Sequence, residues 1–153
     1  MASWDNDADG LSERRMSKVL IIEDEVFIAM ALESLLEDLG HQSLGIAADS
    51  RQALAMAEDA DLAIVDVNLA DGPTGVETGR RLAEEGVAVI YMTANPEQLG
   101  AGVPGTIGVI AKPAADSELR QAIAYALGTR DGAGRIMVPP RRLTLFGIRV
   151  ATA

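Results

Sequence analysis

Five residues could do chemistry together: Glu23 and Asp24, Asp66, Thr93 and Lys112. Each site follows an apolar run: Val19-Leu20-Ile21-Ile22, Leu62-Ala63-Ile64-Val65, Val87-Ala88-Val89-Ile90-Tyr91-Met92 and Thr106-Ile107-Gly108-Val109-Ile110-Ala111. Three carboxylates brought together repel one another, and a divalent cation relieves that field. Magnesium suits such a set, because it keeps several waters and asks for few protein oxygens: Glu23, Asp24, Asp66 and a backbone carbonyl suffice. An aspartate is ionised at neutral pH, so Asp66 needs no base to act as a nucleophile. Lys112 can pair with an incoming phosphoryl group, and the Thr93 hydroxyl can donate to one of its oxygens. The chemistry that fits is acceptance of a phosphoryl group on Asp66. Hydrolysis of an external substrate fits less well, because no histidine lies near these positions to serve as general acid or base.

Each residue also has a plainer reading. Asp66 can simply end a strand, and Glu23 and Asp24 can favour the start of a helix through its dipole. Thr93 can cap the next segment, and Lys112 can be a surface charge. Four such coincidences at four strand ends are far less probable together than any one alone.

The elements that would position them read as strands alternating with helices. Strands are predicted at 18–22, 44–48, 62–66, 87–92 and 106–111; the first from Val19, the third as far as Val65 and the fourth throughout are unbroken apolar runs, as in a sheet covered on both faces. Between them the helical period is carried by Ile28, Leu32, Leu35, Leu36 and Leu39, stopped at Gly40. It returns from Asp49 or Ser50 to about Glu58, and from Val76 to Glu85 with Leu82 and Ala83 inward and Arg80-Arg81 on a solvated face. A last helix starts at Asp116 or Ser117 and carries Leu119, Ile123 and Leu127. Residues 95–105 hold two Pro and three Gly, so a helix there is short or frayed. Right-handed crossovers make the sheet parallel, and all the carboxyl ends of its strands then lie on one edge. In open α/β sheets that edge is where ligands bind.

Composition narrows the class. The 153 residues are 48% hydrophobic with only 3% aromatic, so Ala, Val, Leu and Ile must build the core. Without cysteine there is no disulfide and no thiolate metal site. No apolar run approaches a membrane span, and the polar start is no signal peptide, so the expectation is a cytoplasmic protein with no membrane partner. Residues 1–127 carry 8 Lys/Arg against 22 Asp/Glu, and 128–153 carry 5 Arg against 1 Asp. An acidic body argues against nucleic-acid binding, which depends on neutralising phosphates. Eleven Arg against two Lys hints at a GC-rich bacterial genome.

The acidic pair, the Asp, Thr93-Ala94 and Lys112-Pro113 resemble the receiver domain of bacterial response regulators in identity, order and approximate spacing. The resemblance covers about Lys18 to Leu127. It implies a flavodoxin-like doubly wound α/β fold, with a five-stranded parallel sheet of order 2-1-3-4-5 and a cis peptide before Pro113. It implies a phosphorylation-controlled signalling module rather than an enzyme, with Asp66 as phosphoacceptor and Thr93 and Lys112 on the phosphoryl group. Mg2+ would be held by Glu23, Asp24, Asp66 and the Asn68 carbonyl. A sensor histidine kinase or phosphotransfer protein would supply the phosphate, and a downstream protein would read it. The division expected is a disordered leader at 1–16, the receiver at 17–128, and a tail or arm at 129–153, with no attached output domain.

Three departures bear on output. Val109 stands three positions before the lysine, where the family usually has an aromatic ring that rotates. Residues 95–105 are Gly/Pro-rich where a firm helix is usual. The loop after Asp66 reads Leu69-Ala70-Asp71-Gly72-Pro73-Thr74-Gly75, without proline directly after position 69. Phosphorylation is therefore expected to move the 95–105 backbone rather than flip a side chain. Residues 141–150 carry apolar residues and Arg, and are expected to dock on their own domain or on a second copy, as in a homodimer. His41, between a helix and a strand, reads as a loop residue rather than a relay histidine. Two other readings compete. One is a receiver-like scaffold that is never phosphorylated; the other is a haloacid-dehalogenase-like phosphatase or Toprim nuclease. The enzymes want a second Asp two residues after the first, where this chain has Asn68.

Overall fold

The computed structural model describes residues 16–131 and 138–147. The leader read at 1–16 lies outside them except for Met16, as do 132–137 and 148–153 of the tail. In chain order the elements are β1 (Lys18–Ile22), α1 (Val26–Asp38), β2 (Gln42–Ala47), α2 (Ser50–Met56), β3 (Leu62–Val65) and α3 (Gly75–Glu84). They continue with β4 (Ala88–Thr93), a single 3-10 turn (Pro96–Leu99), β5 (Gly108–Ala111), α4 (Asp116–Asp131) and β6 (Leu143–Leu145). The sheet runs β2-β1-β3-β4-β5-β6, so the five parallel strands take the expected order 2-1-3-4-5. β6 is added antiparallel at the β5 edge.

The alternation of side chains along each strand divides the core into two layers. Val19, Ile21, Leu62, Ile64, Ile90, Met92 and Ile110 pack on one face against α1 and α4. Leu20, Ile22, Ala63, Val65, Val89, Tyr91 and Val109 pack on the other against α2 and α3. Every residue of β3 is buried, as its unbroken apolar run requires. The Tyr91 hydroxyl finds a partner in the Val76 carbonyl at 2.8 Å, which lets the ring lie fully inside.

Local signals act where they were legible. The Asp49 carboxylate accepts from the Gln52 amide at 2.8 Å and caps α2, and Gly40 follows α1 with φ 84°. Arg80 lies on the outer face of α3 between Glu77 and Glu84. The 95–105 stretch forms only the one 3-10 turn, and the Lys112-Pro113 peptide is cis. Boundaries shift where tertiary pairing decides them. β2 begins at Gln42, and its register slips opposite Val19/Leu20, so that Leu44 is bulged out ahead of Gly45. The start of α4 is tied by Glu118, whose carboxylate accepts from the Ala115 amide at 2.8 Å, where the sequence pointed to Asp116 or Ser117. The helix also runs past Gly128 to Asp131.

His41 is half-buried in the loop between α1 and β2, and its Nδ1 accepts from the Ser17 amide at 3.2 Å. Burial holds its pKa below the usual 6.5, against the opposing charge of Asp61. The unfolded chain therefore takes up this proton first as pH falls, and stability is lost from about 6.5 downward until the folded pKa is passed. In urea unfolding between pH 7 and 5.5, His41→Gln removes part of that slope.

Candidate functional site

β1 and β3 are neighbours, so their carboxyl ends bring Glu23-Asp24 beside Asp66. The Asp66 amide donates to the Ile22 carbonyl at 2.9 Å, continuing the ladder one residue past β3 and holding the Asp66 side chain at the sheet edge. The loop beyond it is closely supported. A Cβ at Gly75 would lie 1.9 Å from the Asp66 carbonyl oxygen, so only glycine lets the start of α3 come this near. Asp71 accepts from the Ser50 hydroxyl at 2.6 Å and the Thr74 hydroxyl at 2.6 Å, tying the loop to α2. These bonds hold the Asp71 carboxyl below the usual carboxylate range.

One carboxylate oxygen from each of Glu23, Asp24 and Asp66 lies within 4.8 Å of the others. Glu23 and Asp66 are buried and Asp24 is exposed, which leaves the cluster open to solvent on one side. Lys112 reaches in from the end of β5, with Nζ 2.8 Å from Glu23 Oε1 and 3.0 Å from Asp66 Oδ2. Glu25, unassigned by the sequence reading, stands 3.5 Å from the same amine. Burial pushes the Glu23 carboxyl up, and Lys112 only partly counters it. Burial also opposes the Lys112 charge, but Glu23 and Asp66 outweigh it and hold the amine above the ordinary lysine value.

The Glu23 oxygens are unequally served. Oε2 accepts from the Glu25 amide at 3.0 Å, whereas Oε1 is buried and has the Lys112 ion pair without a well-formed hydrogen bond. A buried, incompletely satisfied carboxylate oxygen in an all-oxygen cluster fits a hard cation such as magnesium.

Thr93 is buried at the end of β4, and its Oγ1 accepts from the Asn95 amide at 3.1 Å. Its hydroxyl proton remains to be donated. The ladder continues from it, with the Lys112 amide on the Thr93 carbonyl at 2.9 Å. The Asn68 amide points to Asp66 Oδ1 over a long 3.4 Å, and the Asn68 side chain donates to Gln98 at 3.2 Å. Glu23, Asp24, Asp66, Thr93, Asn68 and Lys112 thus gather at one edge of the sheet. Gln98 and Glu25 join them without a signal strong enough to find from sequence. Beside Lys112 and Pro113 an apolar groove is lined by Phe27, Ala31 and Leu119. At the start of α1, Val26, Phe27 and Met30 are exposed, Phe27 to 86%.

The family described as response regulator receiver domain matches residues 19–124. The phyllosphere-induced regulator PhyR of Methylorubrum extorquens is 37% identical over 124 residues, which are 78% of this chain and 46% of that protein. The solution structure of the Erythrobacter litoralis PhyR response regulator REC domain superposes with a TM-score of 0.68 at 38% identity, covering 74% of this chain and 92% of that one. The crystal structure of the anti-anti-sigma factor PhyR from Bartonella quintana gives a TM-score of 0.69 at 31% identity, covering 83% and 54%. The chain spans about half the length of the curated PhyR it matches.

Proposed function

This chain belongs to the response regulator receiver family, and on that premise we propose that it accepts a phosphoryl group on Asp66 and passes the signal on by protein–protein contact. The observation that carries the proposal is the lysine bridge. Lys112 lies against Asp66 and Glu23 at 3.0 and 2.8 Å, where its charge can follow a phosphoryl group arriving on Asp66. An Asp66 oxygen attacks phosphorus, the bond from phosphorus to the donor breaks, and the electron pair leaves with the donor. With a histidine kinase or phosphotransfer protein, the leaving group is the imidazole. The product is an aspartyl phosphate whose added charge faces Lys112, while the Thr93 hydroxyl donates to a phosphoryl oxygen.

Glu23, Asp24, Asp66 and the Asn68 carbonyl would hold magnesium, which would supply positive charge to the phosphoryl oxygens. The exposed apolar residues Val26, Phe27 and Met30 at the start of α1 support the docking of a phosphodonor protein next to the site. The similar PhyR from Bartonella quintana is an anti-anti-sigma factor, which favours a downstream partner among regulators of transcription. No helix among the described residues is long and apolar enough to cross a membrane, in keeping with a cytoplasmic role.

The test is incubation with acetyl phosphate and magnesium followed by intact mass. A single added phosphoryl group, dependent on magnesium, is the expected product. An unchanged mass would leave the non-phosphorylated scaffold as the better reading.

A further inference from the structure

The tail strand touches the backbone on both sides of the site lysine. β6 pairs antiparallel with β5 in the register Gly108↔Leu145, Val109↔Thr144 and Ile110↔Leu143, and the Phe146 amide extends it to the Ile107 carbonyl at 3.0 Å. Just before it, Arg142 Nη2 donates to the carbonyls of Ala111 at 3.1 Å and Pro113 at 3.4 Å, and Nη1 reaches both Glu118 oxygens at 3.1 and 3.0 Å. Ala111 and Pro113 flank Lys112, so one guanidinium clasps the backbone from which the site amine extends.

Phe146 closes the other end. Its ring lies 6.4 Å from that of Tyr91, in the core layer that holds Val109. A Cβ at Gly102 would come within 2.8 Å of the Phe146 ring, and one at Gly108 within 2.3 Å of the Thr144 carbonyl oxygen. Two glycines of the domain therefore make room for the tail. Without β6, the β5 edge would present unpaired amides and carbonyls, which readily take up another strand.

We propose that residues 141–147 are a displaceable latch on the β5 edge, opened by phosphorylation of Asp66 so that an extended partner segment can pair there. The partner's chemistry is read from the latch it replaces. It carries an arginine for Glu118 and the two carbonyls, then an aromatic residue four positions on for the seat beneath Gly102. The inference rests on the reading of Asp66 as phosphoacceptor. When Lys112 and Thr93 are drawn toward a phosphoryl group, the 111–113 backbone leaves Arg142 and the segment after Thr93 shifts beneath Phe146. Both ends of the latch then weaken together.

The full chain decides this by amide exchange with and without acetyl phosphate and magnesium, its intact mass followed in parallel. The amides of 143–146 are slow in the unmodified protein and about tenfold faster in the phosphorylated species, with β3 unchanged. A fluorescent peptide of residues 138–147 binds phosphorylated wild type and the unmodified Arg142→Ala/Phe146→Ala protein, but not unmodified wild type. Arg142→Ala alone gives an intermediate result, and slow β3 exchange certifies the fold of both variants. Unchanged exchange at 143–146 in protein that carries the phosphoryl mass overturns the latch and leaves the Asp66 reading intact. Peptide that binds neither open protein overturns the exchangeable edge. If no phosphoryl mass accumulates, the Asp66 reading fails and opening by phosphate fails with it.

Discussion

Asp66→Asn takes up no phosphoryl group from acetyl phosphate in magnesium, while the parent protein does. The amide oxygen of asparagine is a poor nucleophile, and among the described residues only Asp66 and Glu23 are buried carboxylates at a strand end in direct contact with Lys112. Glu23 is the rival, because it lies nearer the amine at 2.8 Å. Its Oε2 is engaged by the Glu25 amide, however, and its Oε1 is buried. The variant keeps the fold, because the swap is nearly isosteric and Lys112 retains Glu23. The change in labelling is all or none, whereas the change in the melting curve is small. Intact mass and a thermal scan on the same samples measure both, and labelling that persisted in Asp66→Asn would transfer the acceptor role to another residue.

Magnesium raises the stability of the unphosphorylated protein, and Glu23→Gln with Asp24→Asn removes the effect. A ligand bound only by the folded state adds RT ln(1 + [L]/Kd), about 2.7 kcal/mol at a hundredfold excess over Kd. The double variant is also the more stable protein without metal, because two like charges near Asp66 are gone and burial already disfavours the Glu23 anion. Asp66 and Lys112 remain to pair with each other in that variant, so its fold does not depend on the lost carboxylates. Titrating magnesium during urea unfolding gives both quantities. Equal insensitivity of the two proteins to the ion would remove it from the site.

Within the domain, much of this was readable from residue order because the sheet is parallel. Four apolar runs ending in Glu23-Asp24, Asp66, Thr93 and Lys112 needed only to be strands of one such sheet for their ends to meet, whatever the details of packing. The two core layers followed from alternation along the strands, and the caps at Asp49 and Gly40 from local chemistry. Three-dimensional pairing decided the rest. Whether Lys112 would meet Glu23, Asp66 or Glu25 depends on strand register and on how deep each carboxylate lies, and no local pattern encodes either. The tail is the clearest case. Leu143-Thr144-Leu145-Phe146 reads as strand-like, but three or four alternating residues cannot select an edge. The choice of β5 comes from the carbonyls of Ala111 and Pro113 that receive Arg142, and from the space left at Gly102 and Gly108. Ala111 and Pro113 lie 31 and 29 residues before Arg142, the two glycines lie further still from Thr144 and Phe146, and only the folded sheet brings them within reach.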